Sequence, residues 1–221
     1  MRVLADDMRG EIDGILGKYP NSRSAALPLL FLVQSVQGYV SEEGMKDVAD
    51  ILGLTSAQVL ATASFYTMLK KRPQGEYLIS VCRNISCTHL GSRRVLATLE
   101  DRLGVSAGET TDDGRFSLES AECLATCDGA PSLQINYEDF YRVTPKDAID
   151  LVDRLEGGDS ITSVRGETVR TAKEIAREIA LAGMRIAEAG VEEARTIGGE
   201  SPRADTAPGF RPKVKGEGQD G

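Results

Sequence analysis

Four cysteines constrain this chain more than any other feature. They are its only cysteines and form two close pairs, Cys82-x4-Cys87 and Cys123-x3-Cys127, far apart in sequence. A fold that brings the pairs together makes a four-thiolate pocket. Soft thiolate ligands select zinc, copper(I) or iron–sulfur clusters over hard cations. For such a pocket, two loops have to meet at one edge of the fold.

With 221 residues and 41% hydrophobic content, the chain can bury a core in one or two domains. Its net charge of −8 gives no general attraction to nucleic acid or anionic lipid. No run approaches the roughly 18 apolar residues that cross a bilayer, so no direct membrane insertion is expected. The opening MRVLADDMRGEIDG is acidic and amphipathic, without a signal-peptide apolar stretch. These features predict a cytosolic protein, and structural disulfides are rare in that reducing compartment.

The first 70 or so residues read as four short helices. Val3, Met8, Ile12, Ile15 and Leu16 give a helical apolar spacing that ends before Tyr19-Pro20. Ser24 to Val36 is nearly all apolar and predicts a buried helix with Pro28 near its start. Ser41 can cap a third helix, with Glu42 and Glu43 at its positive end and Gly53 as terminator. Thr55 or Ser56 starts a fourth, whose apolar positions are Val59, Leu60, Ala63 and Phe65.

The texture then changes. Glu76 to Cys82 and Phe116 to Glu119 read as strands, and Leu90 to Leu103 between them as an amphipathic helix. Ser132 to Asn136 and Phe140 to Val143 predict a hairpin joined through Tyr137-Glu138-Asp139. Thr144-Pro145 starts a helix that Gly157-Gly158 ends. The order β-α-β-β-β-α is an α/β layer. Glu167 to Ala189 predicts a last helix with a narrow stripe of small side chains, better suited to lie on a partner than on its own core. The Gly-, Pro- and charge-rich end predicts a disordered tail. The expected divisions are 1–72, 73–158, 159–190 and 191–221.

Both cysteine pairs fall where loops belong. Structural zinc favours knuckles with two residues between ligands, which gaps of four and three fit poorly. A 2Fe–2S cluster needs two ligands on each iron, and one pair per iron would serve. The plant-type ferredoxin spacing is absent, and a Rieske centre needs two histidines where the chain has only His89. Spacing leans towards iron and leaves zinc and unligated thiols open.

Further segments narrow the choice. They are SFYTM after the fourth helix, VCRNISC around the first pair, ECLATCDGAPSLQIN around the second, and the Thr-Pro helix start. From about Ile12 to Leu155 the chain resembles the family of the 24-kDa, or E-chain, subunit of NADH–quinone oxidoreductase, respiratory complex I. Related chains serve NAD-linked hydrogenases and formate dehydrogenases. The resemblance implies an α+β protein, an N-terminal helical bundle followed by a thioredoxin-like domain. It implies one 2Fe–2S cluster held by Cys82, Cys87, Cys123 and Cys127. It further implies a partner subunit that binds FMN and oxidises NADH, other peripheral-arm subunits, and a place on the cytoplasmic side of the plasma membrane through the complex. A zinc-stabilised adaptor is the rival of another class. A thiol oxidoreductase ranks last, because the chain lacks C-x-x-C.

No independent catalytic site is expected, since neither a P-loop nor a G-x-G-x-x-G opening a helix is present. Asp128 and Glu122, beside ligand positions, predict a low reduction potential. Phe65 and Tyr66 are expected as core anchors, His89 as an ordinary surface histidine, and Lys70-Lys71-Arg72, which replaces an aromatic in the family pattern, as a solvated turn.

Overall fold

The computed structural model describes residues 2–182. The predicted tail and the end of the last helical stretch, from Gly183 on, lie outside them. The four N-terminal helices start and stop where local chemistry directs. They are α1 (Arg9–Gly17), α2 (Ala26–Gln37), α3 (Glu42–Leu52) and α4 (Ser56–Phe65). Ser41 caps α3 by accepting from the Gly44 N–H, and Gly53 closes that helix at φ 65°. Thr55 and Gln58 form a reciprocal capping box on α4. Apolar nearly all round, α2 packs against α1, α3 and α4, with Leu29, Leu30, Leu32 and Val33 wholly buried.

The second half is a four-stranded sheet of β1 (Tyr77–Cys82), β2 (Phe116–Ala121), β3 (Leu133–Ile135) and β4 (Glu138–Phe140), in the order β2-β1-β3-β4. β2 runs parallel to β1, so a helical crossover must join them, and α5 (Ile85–His89) and α6 (Ser92–Leu103) supply it. β3 is antiparallel to β1 and β4 to β3. Helix α7 (Pro145–Glu156) starts at Thr144, whose capping box uses Asp147. One core joins Ile79 and Val81 of the sheet to Val95 and Leu99 of α6 and to Ala148, Val152 and Leu155 of α7. Leu78 and Asn136 instead line a crevice shared with Phe31 and Gln34 of α2.

Several expectations need correction. The hairpin turns through Asn136-Tyr137, both at positive φ, rather than through residues 137–139. A two-residue turn with both φ positive matches the twist of the strands it joins. The last helix, α8 (Ala172–Leu181), begins five residues later than expected, because Thr171 and Glu174 cap it reciprocally. Val169 is spent in the sheet-domain core instead. Far from awaiting a partner, α8 packs on α2 and buries Ile175, Ala176 and Ala180. Small side chains let the two helices approach closely, so the core was incomplete without it. Leu60, Phe65, Tyr66 and Leu90, expected inside, are exposed, Phe65 at 78%. α4 buries only Val59 and Ala63, a stripe too narrow to take in Leu60 or Phe65, and Leu90 falls in the turn between α5 and α6.

Candidate metal centre

The first cysteine pair is placed by the end of β1 and the turn beyond it. Cys82 is the last residue of the strand, and Cys87 sits inside α5, a five-residue helix where the sequence predicts a loop. Asn84 starts that helix, its side chain accepting from the Ile85 N–H at 2.8 Å, while the Thr88 hydroxyl donates back to the Arg83 carbonyl at 2.8 Å. Capping rather than apolar periodicity forms it. Cys82 and Cys87 are 3% and 2% exposed and share a small apolar cluster with Ala130, against which Leu124 packs. Those two neighbours belong to the second loop, so the two loops meet at one edge of the sheet.

The second pair follows β2. Cys123 and Cys127 are exposed, and all four thiols are free. Between them Ala125 takes a left-handed conformation, φ 59°, which turns its N–H onto the Cys123 sulfur at 3.4 Å. Cys127 opens a single 3-10 turn through Gly129. Backbone bonds from Arg142 to the Gly129 carbonyl and from Val143 to the Pro131 carbonyl, at 2.7 and 2.9 Å, tie this loop to the segment after β4. A Cβ at Gly129 would run into the Tyr141 ring, so the loop lies directly on that side chain.

Ser132 laces the two loops together, a role that the sequence does not announce. Its carbonyl accepts from the Cys82 N–H at 3.2 Å. Its hydroxyl lies 3.6 Å from the Cys87 sulfur and 2.7 Å from the Thr126 hydroxyl. Both hydroxyl residues are buried. Their only signal in the sequence is a short polar residue beside each end of the turn, which any loop would show.

The local charges also differ from expectation. Glu122 pairs with Arg83 across the two loops, which partly offsets its charge, whereas Asp128 is exposed beside Cys127. His89 is exposed in the last turn of α5. Among the described residues, no three His, Cys, Asp or Glu side chains converge on a single-ion site. Each loop carries two free cysteines, and a two-iron group takes two thiolates on each iron.

Residues 12–156 match the model of the thioredoxin-like [2Fe-2S] ferredoxins. The chain belongs to that family. Its cofactor is accordingly one 2Fe–2S cluster. The chain is 44% identical over 174 residues to the E-chain NADH-quinone oxidoreductase subunit of Mycobacterium tuberculosis, covering 78% of this chain and 69% of that one. It is 36% identical over 137 residues to NADH-quinone oxidoreductase subunit 2 of Thermus thermophilus, covering 61% and 76%. In fold it matches an NAD+-reducing [NiFe]-hydrogenase with a TM-score of 0.53 at 21% identity, over 60% of this chain and 22% of the hydrogenase chain. No single helix among the described residues is long and apolar enough to cross a membrane.

Proposed function

We propose that this chain is the 2Fe–2S electron-carrier subunit of an NADH–quinone oxidoreductase, with Cys82, Cys87, Cys123 and Cys127 as cluster ligands. The observation that carries the reading is the pair of loops, each bearing two free thiols and joined through Ser132, in a chain of this family. When bound, the group takes up and releases one electron at a time. The protein's share is positioning and field. Burial of Cys82 and Cys87 keeps water from one side, and the Ala125 N–H favours negative charge on Cys123. Exposed Cys123 and Cys127 leave the other side open to an approaching electron donor.

That donor is an FMN- and NADH-binding subunit of the same complex. Large apolar side chains left in solvent support a subunit contact: Ile85 and Leu90 on either side of Cys87, and Phe65 stacked edge-to-face on Tyr66. The chain has no catalytic site of its own in this reading and works peripherally, on the cytoplasmic side of the plasma membrane. A place in a hydrogenase complex rests on fold likeness at 21% identity, whereas the mycobacterial oxidoreductase chain reaches 44%.

Anaerobic purification of the full chain tests the reading. Expected are about two irons and two acid-labile sulfides per chain and an EPR signal after dithionite reduction, as a 2Fe–2S group requires. Replacing any one of the four cysteines with alanine should abolish or strongly alter that signal. About one zinc per chain with no EPR signal would make the chain a structural adaptor instead.

A further inference from the structure

The buried hydroxyls at the loop junction have partners that set their direction. Thr126 is 5% exposed and Ser132 2%, and their oxygens lie 2.7 Å apart. The Ser132 oxygen also lies 3.6 Å from the Cys87 sulfur, a normal separation for a hydroxyl bonded to sulfur. A ligating thiolate carries no proton and can only accept. Ser132 therefore donates its one hydrogen to Cys87. Its oxygen is then free to accept, and Thr126 has to be the donor to it.

We infer that Thr126 and Ser132 form a two-hydroxyl relay, Thr126 to Ser132 to the Cys87 sulfur, that raises the reduction potential of the cluster. Neither residue is a ligand; both are positioning residues, and the inference rests on the ligand assignment above. One-electron reduction adds negative charge that the ligand sulfurs share, and a donor aimed at such a sulfur favours the reduced state. Neither hydroxyl gives up its proton, and no bond is made or broken at either. Accepting from Thr126 polarises the Ser132 hydroxyl, so the second bond strengthens the first. The relay opposes the field of Asp128 and acts from the buried side, where screening is weakest.

Potentiometric titration of the full chain, followed by EPR, separates this tuning from a packing role. Ser132→Ala should load its cluster and make reduction roughly tenfold harder at a fixed potential, about 59 mV lower for a one-electron couple. Thr126→Val, nearly the same shape, should shift in the same direction by less, and Thr126→Ser should keep the parent potential. Because Thr126 acts through Ser132, adding Thr126→Val to Ser132→Ala should change nothing further. An intact signal in Ser132→Ala with an unmoved or higher potential would overturn the relay. So would a Thr126→Val shift that persists in the Ser132→Ala background. Should Ser132→Ala fail to load, the Thr126 pair decides alone: equal potentials for Val and Ser overturn the relay. Absence of a 2Fe–2S signal in the unaltered chain would instead remove the ligand assignment, and the relay with it.

Discussion

Ala125 shows how much a single residue in the cysteine loop can decide. It holds a left-handed φ of 59°, a region where a β-branched residue is strained, and in that conformation its N–H reaches the Cys123 sulfur. Ala125→Val should cost about 1–2 kcal/mol and lower iron content, read by visible absorption and thermal unfolding, whereas Ala125→Gly should retain the cluster. Asp128→Asn should raise the reduction potential on titration, but by less than the drop expected for Ser132→Ala, because Asp128 is exposed and its field screened. A lower potential would contradict the electrostatic account. Glu122→Gln should likewise raise it only slightly, since that carboxylate is largely exposed and its field screened. The cysteines themselves were legible because their spacing is a local property. Ser132 and Thr126 were not, because their roles depend on a partner 45 residues from Ser132 in the chain.

Elements were read best where their ends carry caps. Ser41, Thr55 and Thr144 marked α3, α4 and α7 in the sequence, and each side chain makes the expected bond to the backbone. The short α5 escaped because five residues carry no periodicity. The β3–β4 turn escaped because Tyr137 at φ 72° breaks the usual preference for glycine there. That turn is held by Asn136, whose side chain accepts from the Leu78 N–H at 2.7 Å and donates to the carbonyls of Glu76 and Arg170 at 2.9 and 2.7 Å. Asn136→Ala removes three bonds and leaves the buried Leu78 N–H without that partner, and should cost about 2–4 kcal/mol by denaturant unfolding. A change under about 0.5 kcal/mol, the range of neutral surface substitutions, would mean the turn holds itself. Helix α8 makes the matching point about packing. Ala176 is 1% exposed between α8 and α2, so Ala176→Leu should destabilise the chain by about 1–3 kcal/mol, read by the shift in the denaturant midpoint.

Across the whole molecule, residues 1–181 form one compact unit in which the bundle and the sheet hold each other. Gln34 of α2 donates to the Met68 carbonyl and accepts from the Lys70 N–H, and Lys70 pairs with Glu119 of β2. Lys70 is therefore a tie between the parts rather than a solvated turn. Tyr137 lies in the same region, and burial, reinforced by Glu119, pushes its phenol up to about 12. The unfolded chain releases that proton near pH 10 while the folded one keeps it. Its contribution is thus complete below pH 10 and lost between 10 and about 12, on the order of 2 kcal/mol. Tyr137→Phe should flatten the fall in unfolding free energy over that window; an unchanged slope would assign it to other groups. Truncation after residue 158 should destabilise the fold, read as a lower denaturant midpoint, because α8 covers α2. Phe65→Ala should leave cluster and stability unchanged while weakening capture of the proposed flavin-binding subunit, since Phe65 buries little in the chain itself. By itself the sequence determined the starts of the capped helices, the order of strands and helices along the chain and the spacing of the four cysteines, because capping, alternation and cysteine spacing act over a few residues. Only the tertiary structure decided which loop residues touch sulfur, where α8 lies and which aromatics face solvent. Those outcomes depend on which surfaces meet once distant segments pack, and no short stretch of chain encodes that.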